Sequence, residues 1–163
     1  MIKIPNENCE HGYFMGQYCK KGCEEKMRNI RKIDLITPQH LKNFESELIE
    51  RYHNKEIRSP IHLSGSKNDV QEKALIEIFK EVKPQDYIFT TYRSHYHALL
   101  KGVPREWLLN WVLENKSIHV MNKEHKIVSS AIVGGCLSQA VGVAMAIKKK
   151  YNKKLGYAKR NIE

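Results

Sequence analysis

The sequence predicts an α/β architecture, and three observations predict it. Helical patterns flank one β-rich run, Tyr87-Ile88-Phe89-Thr90-Thr91, which is short and apolar enough for a buried strand. Hydrophobic residues make up 41% of the 163, enough for a core in one domain with a small appendix. The order of elements is helix, helix, strand, helix, loop, helix. Only one strand is legible, whereas a parallel sheet buried on both faces needs several, so the pattern reads as an incomplete domain.

The elements follow in order. Residues 24–36 are charged and weakly periodic and read as a linker. Thr37-Pro38 opens a helix, with Thr37 as N-cap and Pro38 at its first position. Leu41, Phe44, Leu48, Ile49 and Tyr52 follow at spacings of three and four, an amphipathic face. Ser59-Pro60 enforces an extended stretch, and 61–66 reads as a loop. A second helix is expected from about Asn68 to Val82, with Val70, Ala74, Leu75, Ile78, Phe79 and Val82 on one side, stopped by Lys83-Pro84. After the strand, Pro104 opens a third helix carrying Trp107, Leu108, Trp111 and Val112. A fourth runs from Cys136 to about Lys150 behind Gly134-Gly135, its face formed by Leu137, Ala140, Val141, Ala144, Met145 and Ile147.

Twenty-eight Lys and Arg against eighteen Asp and Glu give a formal charge of +10. Such a balance neutralises phosphates, so nucleic acid is one candidate partner, and Lys148-Lys149-Lys150 with Lys153-Lys154 forms a local cluster. The same cluster suits a solvated helix end, where cations complement the dipole. Met1-Ile2-Lys3-Ile4-Pro5 lacks the apolar stretch of a secretory signal. The run from Ala131 to Ile147 is too short and polar for a spanning helix. The expectation is a soluble, cytoplasmic protein with no membrane partner.

Three of the four cysteines fall close together at the N-terminus, as Cys9-x-His11 and Cys19-x3-Cys23. Structural zinc is tetrahedral and takes thiolate and imidazole, usually as two close pairs. Residues 1–30 are therefore expected to form a Cys/His knuckle holding one structural Zn2+ through Cys9, His11, Cys19 and Cys23. Three ordinary thiols in a loop is the other reading. Cys136 stands apart in an Ala/Val/Gly context and reads as a buried small residue.

Asp86-Tyr-Ile-Phe-Thr-Thr-Tyr92-Arg93-Ser-His95 resembles the signature of the α subunit of thiamine diphosphate-dependent 2-oxo acid dehydrogenases, the E1 component of pyruvate, branched-chain and acetoin dehydrogenase complexes. Leu100-Lys-Gly102 is similar to the segment that follows it there. Arg58-Ser-Pro-Ile-His62-Leu63 resembles the family's Arg-Gly-x-x-His-Leu, and Ser117-Ile118-His119 its Ser-Met-His loop. Ala131-Ile132-Val133-Gly134 resembles its Gly-Ile-Val-Gly, and 137–146 its small-residue helix. The pieces run in order over roughly residues 40 to 150.

The resemblance implies a partial thiamine diphosphate-binding fold, a parallel sheet with flanking helices, over residues 31–163. It implies oxidative decarboxylation of a 2-oxo acid with acyl transfer to lipoamide. Tyr92 and Arg93 would contact the cofactor's diphosphate, the backbone of Ala131 and Val133 would hold its aminopyrimidine, and His62, His95 and His119 would line the site as catalytic residues. The chemistry of these residues is compatible: a diphosphate needs cationic and hydroxyl donors, and ligands of open α/β sheets bind at the carboxyl ends of strands.

The chain also departs from that pattern. The family's magnesium sits in a Gly-Asp-Gly segment, but Asp34, Asp69 and Asp86 are the only aspartates here and none lies in such a setting. Gly65-Ser66-Lys67-Asn68 replaces the usual Gly-Gln-Glu-Ala, Ala131 replaces a glycine, and the loop before Ser117 lacks a glycine-rich stretch. Two readings follow. One is an E1-alpha-like portion, incomplete alone, whose partners are an E1 beta-like subunit and a chain carrying the rest of the alpha domain. The other is a zinc-knuckle protein whose basic surface contacts nucleic acid or a partner protein.

Overall fold

The computed structural model of the chain describes residues 32–154. The expected zinc ligands Cys9, His11, Cys19 and Cys23 lie outside the described residues.

After a 3-10 turn at Lys32–Leu35, helix α1 spans Pro38–His53. Thr37 is extended, and its backbone N–H donates to His40 Nδ1 at 3.0 Å. A histidine thus takes the place of the usual Glu or Gln of a capping box. Leu41, Phe44, Glu45 and Leu48 are the buried positions, a stripe at i, i+3, i+4 and i+7. Ile49 and Tyr52, expected on that stripe, are exposed.

A 3-10 turn at Lys67–Asp69 leads into α2, Val70–Glu81. Its buried residues are Glu72, Ile76 and Phe79, whereas Val70 and Ile78 are 66% and 61% exposed. This corrects the expected face. Apolar spacing alone passes over Glu72, which is buried because it serves as an acceptor for the preceding loop.

Strand β1 is Ile88–Thr91, and β2, Ile127–Ser130, pairs with it in parallel, Ile88 opposite Ile127 and Thr91 opposite Ser130. β2 escaped the sequence pattern because only its first two residues are apolar. The crossover between the strands holds α3 (His95–Leu100) and α4 (Arg105–Trp111), which continues into a π turn at Val112–Lys116. The architecture is mixed helix with a small two-stranded parallel sheet among the described residues.

One core cluster gathers Phe44, Leu48, Ala98, Leu108, Val112 and Ile127, and a second gathers Ile33, Leu41, Ile76, Phe79, Tyr96 and Leu100. Ile88 and Leu99 pack against both, so β1 and α3 join them. Helix α5, Leu137–Lys154, differs: Leu137, Val141 and Met145, one stripe at four-residue spacing, are at least 60% exposed.

Candidate functional site

Parallel pairing points the carboxyl ends of β1 and β2 the same way, with Thr91 beside Ser130. The residues that follow, Tyr92-Arg93 and Ala131 to Gly134, therefore emerge side by side from one end of the sheet. The Cys136 thiol lies 3.4 Å from the Thr90 carbonyl oxygen and ties the second turn to the first strand. Cys136 is buried, as its context suggested. Gly135 permits this turn, since a Cβ there would lie 2.5 Å from Ser130 Oγ and 3.0 Å from the Ile132 carbonyl oxygen. Ala131 is not among the described residues with positive φ, so alanine is accommodated where the family pattern has glycine.

Three expected site residues meet at the tip of β1. The His62 ring stands edge-on to Tyr92, centroids 4.9 Å apart, and the Arg93 guanidinium lies 5.7 Å from the Tyr92 ring centre. His62 and Arg93 are exposed and Tyr92 is half-buried. Ala131 and Val133, on the neighbouring turn, are exposed as well.

His119 reaches the sheet by another route, its Nε2 2.8 Å from the Ser129 carbonyl oxygen. Its loop is stapled by two buried serines. Ser94 Oγ donates to the Ile118 carbonyl at 2.7 Å and accepts the Val120 N–H at 2.7 Å, while Ser129 Oγ donates to the Val120 carbonyl at 2.6 Å. The Trp111 indole N–H donates to the His119 carbonyl at 3.3 Å. Ser117, at the head of this loop, has φ 60 and ψ −179, a conformation that is strained for any residue but glycine.

His95 does not join the open cluster. It is fully buried, with Nε2 2.7 Å from Glu45 Oε1. Glu45 also accepts the backbone N–H groups of Ser64 and Gly65, the latter at 2.9 Å. Burial pushes the Glu45 carboxyl up, but the hydrogen bonds from His95 and Ser64 outweigh it and hold the group below the usual carboxylate range. Glu72 behaves alike: burial opposes its ionisation, and the Ser66 hydroxyl and N–H overcome that. Tyr96, beside both carboxylates, has its phenol pushed well up by burial and by the Glu45 charge.

Sequence patterning missed Glu45, Glu72, Ser94 and Ser129. The signal for Glu45 was legible, because a charged residue at i+4 from Leu41 interrupts an apolar stripe, and a buried carboxylate must have partners. The two serines carry no comparable signal.

Among the described residues, no group of three or more His, Cys, Asp or Glu could hold a metal ion, and no helix is long and apolar enough to cross a membrane. A family model described as dehydrogenase E1 component matches residues 37–159, well over half of the chain. The chain belongs to that family.

Three curated relatives of this E1-family chain are pyruvate dehydrogenase E1 component alpha subunits. The protein from Porphyra purpurea is 26% identical over 114 residues, covering 64% of this chain and 30% of the relative. The chloroplastic subunit alpha-3 of Oryza sativa subsp. japonica is 25% identical over 118 residues, 66% of this chain and 27% of the relative. The chloroplastic subunit alpha-3 of Arabidopsis thaliana is 26% identical over 117 residues, 66% of this chain and 26% of the relative. The E1-family chain thus spans less than a third of the length of the curated relatives it matches, and it is alpha-like over that span. Two of the three are chloroplastic forms, so the expected cytoplasmic location gains no support from them. No solved structure matches the chain.

Proposed function

We propose that this chain supplies the part of a thiamine diphosphate-dependent 2-oxo acid dehydrogenase E1 alpha-like subunit that grips the diphosphate and the pyrimidine. The supporting observation is the parallel register, Thr91 beside Ser130, which sets Tyr92-Arg93 next to Ala131 to Gly134 at the carboxyl end of the sheet. The donor set suits the anionic end of the cofactor: an exposed guanidinium and a phenol stand at a strand tip, where the fork geometry of arginine favours phosphate oxygens. Ala131 and Val133 are exposed, so their backbone groups are the ones offered to a heterocycle, while the Ile132 N–H and carbonyl are held by Ser130 Oγ and the Gly135 N–H. His62 and His119 stand around these segments as proton carriers or as donors to a substrate carboxylate. His95 acts from beneath, through Glu45.

When bound, the cofactor would supply the carbanion chemistry of decarboxylation, and the protein's share is orientation and charge. The residues do not fit magnesium. No described cluster offers the carboxylate and carbonyl oxygens it requires, and the chain contains no Gly-Asp-Gly segment.

The metal ligands would come from the remainder of an alpha domain, with an E1 beta-like subunit beside it. The exposed stripe of Leu137, Val141 and Met145, with Ile132 and Val133, supports a covering partner. The isolated chain is therefore expected to bind thiamine diphosphate only at millimolar concentration. Ligand equal to Kd raises stability by about 0.4 kcal/mol, whereas micromolar affinity at millimolar ligand raises it by about 4 kcal/mol. Thermal melting with thiamine diphosphate and Mg2+ separates the two. A small rise agrees with the incomplete site, and a rise of the second size contradicts it.

We also propose a structural zinc at Cys9, His11, Cys19 and Cys23, supported by the ligand types and their paired spacing. About one zinc per chain by elemental analysis, lost in Cys19→Ser, is the expected result. A chain that binds none when purified with zinc present would overturn it. Nucleic-acid binding through the basic surface is the second reading, supported by the charge of +10 alone.

A further inference from the structure

Two buried carboxylates from different helices grip one surface turn. Glu45 of α1 accepts the N–H groups of Ser64 and Gly65, and Glu72 of α2 accepts the Ser66 N–H at 2.9 Å and the Ser66 hydroxyl at 2.6 Å. Three successive amides thus end on two protein anions, of which Glu72 is completely buried and Glu45 is 5% exposed. Desolvating two carboxylates opposes folding, so their hydrogen bonds must compensate. Among the described residues, 61–65 make no backbone-to-backbone hydrogen bond, so these side chains, with Lys42 Nζ donating to the Ser66 carbonyl at 3.0 Å, hold the turn.

Glu45 has a further connection. Its Oε1 meets both the Ser64 N–H and His95 Nε2. Ser64 lies two residues after His62, and His95 lies two residues after Arg93. The two chain segments that meet at the tip of β1 are thus moored to the same carboxylate from beneath. No room is spare, since a Cβ on Gly65 would lie 2.8 Å from Glu45 Oε2.

We infer that Glu45, with His95 and Glu72, forms a positioning device that sets His62 against Tyr92 and Arg93. The inference deepens the proposed cofactor site and rests on it for its functional meaning, while the contact it explains belongs to this chain's own residues. A glutamine at position 45 keeps the side-chain shape but turns one acceptor into an NH2 donor, which in either orientation faces the N–H of Ser64 or Gly65.

The test is made on the full chain without cofactor, by NMR of the His62 imidazole. In the native protein, His62 is expected to show a cross-peak to Tyr92 and a ring-current shift that Tyr92→Leu removes. In Glu45→Gln, the cross-peak is expected to be lost and the His62 resonance to move to its Tyr92→Leu position, while core resonances of Leu108 and Ile127 remain. A folded Glu45→Gln protein that melts lower yet keeps the contact would reduce Glu45 to a structural role and overturn the inference. If that variant does not fold, Glu72→Ala, which removes both acceptors of Ser66, and the milder Ser66→Ala carry the same two outcomes. Because no thiamine diphosphate is present, failure of the cofactor reading leaves this result intact, and the reverse holds too.

Discussion

Phe44→Ala is expected to lower stability by about 3–5 kcal/mol, measured as the loss in unfolding free energy in urea. Domains of this kind have only about 5–15 kcal/mol in total, so the variant stands near the edge of folding. Phe44 is fully buried in the larger core cluster with Leu48, Leu108 and Ile127. The Arg105 guanidinium lies 5.5 Å from its ring centre, and its ring is 6.4 Å from that of His95. Truncation would leave a cavity between α1 and the sheet and loosen the support under the Glu45–His95 pair. Ile78→Ala supplies the contrast. At 61% exposure on α2, it should change stability by less than about 0.5 kcal/mol. Equal losses for the two variants would contradict the described packing.

Arg93→Ala is expected to weaken thiamine diphosphate binding by about 10- to 100-fold, since hydrogen bonds to a charged group contribute about 1.5–3 kcal/mol. Arg93 is exposed, so its loss should leave the melting temperature of the free chain unchanged within error. The loss is read as the disappearance of saturation in a millimolar titration. Arg93→Lys should retain part of the affinity, because a point charge replaces the planar fork. An Arg93→Ala protein that binds as tightly as the native chain would remove Arg93 from the site.

Much of the helical framework was legible in the sequence. Thr37-Pro38 marks the start of α1, Lys83-Pro84 follows the end of α2, and Pro104 precedes α4, because these residues act locally on φ and on unpaired N–H groups. Burial was less legible where it depends on partners distant in sequence. Glu72 is a core residue of α2 only because Ser66 bonds to it, and no helical period expresses that. β2 was hidden by Ser129 and Ser130, whose place in a strand comes from pairing with Thr90 and Thr91.

The candidate site divides along the same line. Tyr92, Arg93, Ala131 and Val133 were found through the resemblance of their motifs, and the parallel register puts their segments together. His95 belongs to the same motif, yet it faces inward onto Glu45, fifty residues earlier, and motif matching carries no information about that direction. The exposed stripe of α5 reads in sequence equally well as an interface or as a core face, because amphipathic spacing is the same whether the covering surface is in the chain or in a partner.

The most direct measurement of the central claim is an amide chemical-shift map of the full chain titrated with thiamine diphosphate. The account predicts that the 91–95 and 131–135 segments shift together along one saturation curve, while inorganic pyrophosphate shifts the first segment and spares the second. Shifts that miss both segments, or that reach only one of them with the intact cofactor, would contradict a shared diphosphate-and-pyrimidine grip at the end of this sheet.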